Sequence, residues 1–89
     1  YKADLLVELS DDWALRARER YRRNFLNALY RLMQIAVIRR RYLDGIAHAQ
    51  RILDQDPLRE DVHRDLMQLF VASGQRALAL KQFEHCRDL

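Results

Sequence analysis

The sequence repeats after 34 positions, and this repeat limits the possible folds more than any other feature. Under this shift, many residues align with residues of similar character. The aligned pairs include Leu32 with Leu66, Met33 with Met67, Gln34 with Gln68, Gly45 with Ala79, Ile46 with Leu80 and Ala49 with Phe83. A unit of this length holds two helices and a turn, and it cannot bury its apolar face without a neighbour. The repeat therefore predicts two helical hairpins that stack on each other.

A long segment without helix breakers covers the start of the first copy and the region before it. The chain contains 2 Gly and 1 Pro, and none lies between Asp12 and Arg39. We expect a lead-in over 1–9, N-cap side chains at 10–12 and one long helix over 12–39. Two apolar sets recur on this helix at three- and four-residue spacing, which predicts packing by two neighbours. The main set is Tyr21, Phe25, Ala28, Leu32 and Ile35, widened by Leu29 and Ala36, and the second set is Leu26, Met33 and Val37.

Three shorter helices are expected in the rest of the chain, over 43–55, 59–73 and 77–88. Asp56-Pro57 separates the first two, because proline fits the first turn of a helix but not its interior. Gly74 ends the middle one, as a residue that adopts the left-handed conformation easily. The residues predicted to point inward are Ile46, Ala49, Ile52, Leu53, Val62, Leu66, Leu69, Phe70, Ala79, Leu80, Phe83 and Cys86.

Both copies resemble the tetratricopeptide repeat, a helix–turn–helix unit of 34 residues. That family requires a small residue early in the second helix, and Gly45 and Ala79 stand at this position. It also places glycine at the turn, where Gly74 stands in the second copy and Arg40 in the first. The resemblance implies an all-α fold, a right-handed stack of helical hairpins with about four helices and a long first helix.

An ordered set of motifs along nearly the whole chain resembles the bacterial transcriptional activator domain. The motifs are Asp4-Leu5-Leu6, Asp12-Trp13, Arg18-Glu19-Arg20, Asp56-Pro57-Leu58-Arg59-Glu60, His63-Arg64-Asp65-Leu66-Met67, Gly74-Gln75-Arg76-Ala77-Leu78-Ala79-Leu80 and Phe83-Glu84-His85-Cys86-Arg87. That family is a tetratricopeptide-like module that follows an OmpR-type winged helix in regulators of antibiotic and secondary-metabolite pathways. The resemblance implies a cytoplasmic regulatory domain whose DNA-binding domain lies upstream of Tyr1, so that the chain is a fragment of a larger regulator.

The expected organisation is a single domain over 1–89. The lead-in and long helix, 1–39, overlap repeat one at 26–57, and repeat two occupies 58–89. Such a domain is expected to dimerise, or to contact RNA polymerase or an effector domain, through its helix surfaces.

The formal net charge of +3 is unevenly distributed along the chain. The segment from Arg16 to Arg41 holds nine Arg and one acid, Glu19, whereas the rest holds seven bases and twelve acids. This asymmetry indicates a basic flank that meets something acidic. A solvated arginine-rich helix face is the simpler interpretation, and we prefer it to a DNA interface, since base-reading polar side chains are scarce there.

The sequence predicts no enzyme, no cofactor and no metal site. The side chains able to bind a metal are His48, His63, His85 and Cys86. None forms an i, i+4 pair, and the two adjacent ones diverge on a helix. The histidines are therefore expected at the surface or partly packed, and Cys86 as a buried packing residue. No Ser/His/Asp order or glycine-rich phosphate loop occurs, and no stretch approaches the ~20 apolar residues of a membrane span.

The lead-in is expected to join the core through its leucines, which are Leu5, Leu6 and Leu9. A ligand pocket around Trp13 is the alternative to packing. We expect Trp13 to pack against these leucines, because a tryptophan contributes a large apolar surface.

The predicted binding surface is the concave side of the stack, which the first helix of each hairpin lines. One stripe on each first helix is left uncovered by its own hairpin, with spacing i, i+3, i+7. The stripes are Asn27, Tyr30 and Gln34 in copy one, and Asp61, Arg64 and Gln68 in copy two. Polar side chains and a tyrosine suit hydrogen bonding to a protein segment in a groove. The alternatives are ordinary solvated positions, or a groove filled by the long first helix.

Two other functions stay open from the sequence alone. A tetratricopeptide adaptor unrelated to transcription differs from an activator only in what is fused to it, so the sequence upstream of Tyr1 distinguishes the two. A direct nucleic-acid binder would use the arginine-rich first helix, and a salt-dependent DNA-binding assay distinguishes that function from the others.

Overall fold

The fold is all-α. A computed structural model describes residues 2–88, with side-chain surroundings for residues 12–88. Its four helices are α1 (Lys2–Ile38), α2 (Tyr42–Gln55), α3 (Glu60–Ala72) and α4 (Arg76–Arg87), and consecutive helices pack against each other. The three shorter helices begin and end within one residue of the predicted positions. The helical-hairpin stack expected from the repeat is therefore confirmed.

The long first helix begins earlier than predicted. It already runs from Lys2, so the segment 10–12 lies inside α1 and does not cap its start. The physical reason is that neither Gly nor Pro occurs between residues 2 and 38, and polar side chains alone do not end a helix when its neighbours are good helix formers. The side chains of the lead-in leucines Leu5, Leu6 and Leu9 lie outside the described residues. Trp13 is 69% exposed, so its predicted packing is wrong.

The face of α1 that enters the core draws on both predicted apolar sets. Of its buried residues, Leu26 and Met33 come from the second set, whose third member, Val37, is exposed. Leu29 and Ala36, which are also buried, are the residues that widened the main set. Most of the main set is exposed. The exposed members are Tyr21, Ala28, Leu32 and Ile35. α1 packs mainly against α2, which leaves these residues on an uncovered side of the helix.

The core joins the two hairpins through α3. Val62, Leu66 and Leu69 are almost fully buried there. Gly45 on α2 permits this approach, since a Cβ at its position would lie 3.0 Å from Leu69 Cδ2. A small residue at this position is therefore required for packing, as the repeat pattern predicts.

The outer side of α4 differs from the prediction. Ala79 is buried as expected, but Leu80 and Phe83 are exposed and Cys86 is half-buried. The reason is that α4 is the last helix of the described chain and packs mainly against α3. Two stacked hairpins thus leave apolar residues uncovered at their end.

The two hairpin turns have the same backbone conformation. Gly74 has φ +80° and its repeat equivalent Arg40 has φ 59°, so both residues are left-handed. In each turn, the N–H of the next residue donates to the carbonyl five residues earlier, from Arg41 to Ala36 and from Gln75 to Phe70. This pattern is the one expected where a left-handed residue ends a helix.

Exchanging the residues at these turns is expected to change stability in opposite directions. Arg40→Gly should raise the free energy of unfolding by about 1 kcal/mol, because an arginine pays a steric penalty in the left-handed region. Gly74→Arg should lower it by a similar amount, for the same backbone reason, since nothing lies within 4 Å of a Cβ at Gly74. Urea denaturation followed by circular dichroism measures both. A loss of stability in Arg40→Gly would contradict the repeat equivalence of the turns.

None of the four helices, over the residues described, is long and apolar enough to cross a membrane.

Candidate protein-binding groove

A groove of about 590 Å³ lies between the C-terminal half of α1 and the facing side of α3. Its lining combines an apolar floor with a few polar side chains. The lining residues are Tyr30, Met33, Gln34, Val37, Ile38, Tyr42, Asp65, Gln68, Leu69 and Ala72. An open groove of this composition suits a protein segment that inserts an apolar side chain and hydrogen-bonds at the rim.

Three of the six residues predicted as contacts line this groove. Tyr30 and Gln34 come from α1 and Gln68 from α3. The tyrosine is half-buried against the core, whereas both glutamines are exposed and free to turn toward a bound segment. Since an amide side chain both donates and accepts, this pair fits the alternating N–H and C=O groups of a peptide backbone.

The other three predicted residues lie elsewhere. Asn27 is exposed one turn before Tyr30, in a polar cleft with Arg23 and Arg59. Asp61 is held by an arginine at the start of α3. Arg64 is exposed on α3 and does not line the groove.

On α3, Asp65 lines the groove, whereas the repeat register predicts that its neighbour Arg64 does. A repeat register aligns identical faces of α1 and α3, but a groove between two helices is lined by the sides that face each other. On α1 those sides belong to Tyr30 and Gln34, and on α3 to Asp65 and Gln68. The register therefore found Tyr30, Gln34 and Gln68 and missed Asp65.

Arg59 contacts both Asp61 and the groove residue Tyr30 near the start of α3. Arg59 Nη2 lies 2.8 Å from Asp61 Oδ2, and Nε lies 3.2 Å from Oδ1, so the pair is bidentate. The guanidinium carbon of Arg59 also sits 5.3 Å from the centre of the Tyr30 ring. The hydrogen bond to Arg59 lowers the pKa of the Asp61 carboxyl and raises the pKa of Arg59. Asp61 is thus neutralised within the protein and is a weak candidate for a partner contact.

Asp65 is the carboxylate of the groove that keeps binding capacity. Burial raises the pKa of its carboxyl, although the nearby Tyr30 hydroxyl acts in the opposite direction. The Asp65 charge in turn raises the pKa of the Tyr30 hydroxyl, with smaller contributions from burial and from Asp61. Since burial disfavours the charged form, the ionised carboxylate is held there at a cost in free energy.

Removing this charge is expected to stabilise the fold. A raised carboxyl pKa means that the folded state disfavours the ionised form, so the cost exists at neutral pH and disappears below the ordinary aspartate pKa. Asp65→Asn should therefore raise the midpoint of urea unfolding at pH 7. The gain should shrink as the pH falls through the raised pKa toward the ordinary value. A lower midpoint for Asp65→Asn at pH 7 would show that the carboxylate has a net structural role.

His63 serves packing and not chemistry. Its side chain is 1% exposed, contrary to the predicted surface or partly packed position. Its Nε2 lies 2.7 Å from the Pro57 carbonyl oxygen, and its Nδ1 contacts the Gln82 amide. A neutral ring that donates from Nε2 and accepts at Nδ1 satisfies both partners. The 34-residue repeat could have indicated that His63 is buried, because it aligns His63 with Leu29, a core residue.

The other candidate residues, which are the metal-capable side chains and the arginines of α1, lie outside the groove. Among the described residues, no group of three or more His, Cys, Asp or Glu could hold a metal ion. The arginines of α1 from Arg16 to Arg23 are exposed. Arg22 donates to the Gln55 carbonyl oxygen and Arg16 pairs with Asp12, so part of this charge is used within the chain.

The comparisons with known proteins identify a family. A family model described as the bacterial transcriptional activator domain matches residues 1–89, and the chain therefore belongs to that family. No curated protein and no solved structure matched it.

Proposed function

We propose that this member of the bacterial transcriptional activator domain family is the protein-contacting half of a cytoplasmic transcription regulator. Repeats at 26–57 and 58–89 form one domain that has no catalytic centre of its own. It mediates dimerisation, or contact with RNA polymerase or an effector domain. A winged-helix domain elsewhere in the full-length regulator recognises the promoter. The family membership supports the link to transcription.

The groove between α1 and α3 is the observation that carries this proposal. Its apolar lining accepts an apolar side chain, with Met33 and Leu69 buried at its base and Val37, Ile38 and Ala72 exposed around them. At the rim, Gln34 and Gln68 are available to a peptide backbone, and Asp65 to a cationic or N–H donor group. We infer that the bound segment is extended or helical, with an apolar residue next to a lysine, arginine or amide donor.

The two alternatives fit less well. A tetratricopeptide adaptor unrelated to transcription accounts for the hairpins but not for the family match. A direct nucleic-acid binder has support from nine arginines between Arg16 and Arg41. Against it, part of this charge is used within the chain, because Arg16 pairs with Asp12 and Arg22 donates to the Gln55 carbonyl oxygen.

A DNA titration separates the protein-binding function from the nucleic-acid function. We expect the 89-residue chain to bind DNA weakly and without sequence preference, because its net charge is only +3 and acids are spread over α2 to α4. Binding should fall steeply between about 50 and 200 mM salt, as expected for phosphate contacts alone. The measurement is fluorescence anisotropy with a promoter fragment and a scrambled duplex. Tight binding to one sequence over the scrambled one would overturn the proposal.

A further inference from the structure

An uncovered line of apolar side chains runs along α1, separate from the groove. It is called the outer stripe here and consists of Tyr21, Phe25, Ala28, Leu32 and Ile35. Phe25 is half-buried and the others are exposed, with Tyr21 at 73%, Leu32 at 47% and Ile35 at 45%. None of the five lines the groove. The helix therefore presents two distinct surfaces on either side of its core-facing residues.

The spacing of the outer stripe is that of a helix-packing seam. Its members alternate at four and three residues, which is the spacing of the a and d positions of a heptad. At 1.5 Å per residue, the stripe extends about 21 Å along the axis. A seam of this length and spacing accepts one further α-helix lying along α1, in knobs-into-holes packing.

From Arg20 to Arg41, the segment that carries the outer stripe, every Asp, Glu, Lys or Arg position is an arginine. The same alternation places Arg18 before Tyr21 and Arg39 after Ile35, so the apolar line ends in a cation at both ends. At its edge, the guanidinium of Arg51 from α2 lies 5.5 Å from the centre of the Phe25 ring. Residues 20–43 contain no acidic side chain. A helix that docks here meets apolar groups at its centre and cations at its ends.

We propose that the outer stripe binds an acidic amphipathic helix of a partner protein. The partner supplies an apolar seam at its centre and Asp or Glu near the positions of Arg18 and Arg39. A second copy of this chain does not fit, because parallel pairing sets Arg18 against Arg18 and antiparallel pairing sets Arg18 against Arg39. Like charges at such positions oppose association, whereas opposite charges select the partner. This surface goes beyond the groove and does not depend on it.

Two synthetic helical peptides test the proposal. Both have about 21 residues and the same apolar a and d positions; one carries Glu and the other Lys at the flanking and end positions. We expect the Glu peptide to bind the 89-residue chain in fluorescence anisotropy, and the Lys peptide to bind at least tenfold more weakly. The variant Leu32→Ser with Ile35→Ser should lose at least tenfold in affinity for the Glu peptide. Leu80→Ser, which changes an exposed leucine on α4, is the control and should bind unchanged.

A charge reversal gives a second readout that does not alter the apolar residues. Arg18→Glu with Arg39→Glu should reverse the preference, so that the Lys peptide binds better than the Glu peptide. Gln34→Ala with Gln68→Ala, which changes only the groove, should leave binding intact. Equal binding of both peptides, or unchanged binding by the serine variant, would overturn the proposal. A dimer that is seen in sedimentation experiments and lost in the serine variant would also overturn the proposal, because the helix on the outer stripe would then belong to a second copy of this chain.

Discussion

Replacing Leu66 by alanine is expected to lower the free energy of unfolding by about 2–5 kcal/mol. Leu66 is 1% exposed and lies in α3, within the core that joins the two hairpins. Truncation removes buried apolar surface and leaves a cavity that the neighbouring helices close only in part. Because small domains have a total stability of about 5–15 kcal/mol, this loss is a large share of the total. Urea denaturation followed by far-ultraviolet circular dichroism measures it.

Leu32→Ala is the matched control for this loss. Leu32 is the same residue type at the equivalent position of the first copy, but it is 47% exposed. Its truncation is expected to cost less than about 1 kcal/mol, since surface substitutions have small effects. Equal losses for the two variants would contradict the placement of Leu66 in the core between the hairpins and of Leu32 on the uncovered side of α1.

The helices and turns were predictable because they depend on local residues and on the repeat. Pro57 and Gly74 mark boundaries through their own backbone geometry, and the start of α1 was misplaced because capping residues were given more weight than helix continuity. Which side of α1 enters the core was not predictable. Leu29 and Leu32 are both leucines at helical spacing, and only the number of neighbouring helices decides which one is buried.

The groove was predictable in position but not in detail. The repeat register located Tyr30, Gln34 and Gln68, because stacked hairpins place their first helices on one side. It could not select Asp65 over Arg64, because the sequence does not give the rotation of α3 about its own axis. That rotation decides which of the two adjacent residues faces the groove. The burial of Asp65 and its position beside Tyr30 depend on the three-dimensional structure, which a residue spacing does not contain.

Asp65→Asn in the full-length regulator is expected to reduce transcription activation about tenfold or more. A hydrogen bond to a charged group contributes about 1.5–3 kcal/mol, and each 1.4 kcal/mol corresponds to a factor of ten in affinity. The asparagine keeps the size of the side chain and removes only its charge. The raised pKa of Asp65 predicts a fold that is at least as stable without this charge, and the unfolding midpoint of the variant separates a lost contact from unfolding.

Arg64→Ala is the control on the adjacent residue, which is exposed on α3 outside the groove. It is expected to keep activation close to that of the unaltered regulator. A fall in activation with this variant, together with full activity of Asp65→Asn, would move the contact surface to the other side of α3.

One pair of measurements on Asp65→Asn tests whether this domain acts by contacting protein through the groove. Promoter affinity is measured by anisotropy and activation by in vitro transcription, on the same preparation of the full-length regulator. We expect unchanged promoter affinity, an unfolding midpoint at least as high as that of the unaltered protein, and activation reduced about tenfold. Undiminished activation with equal promoter affinity would show that the domain does not act through Asp65 and the groove.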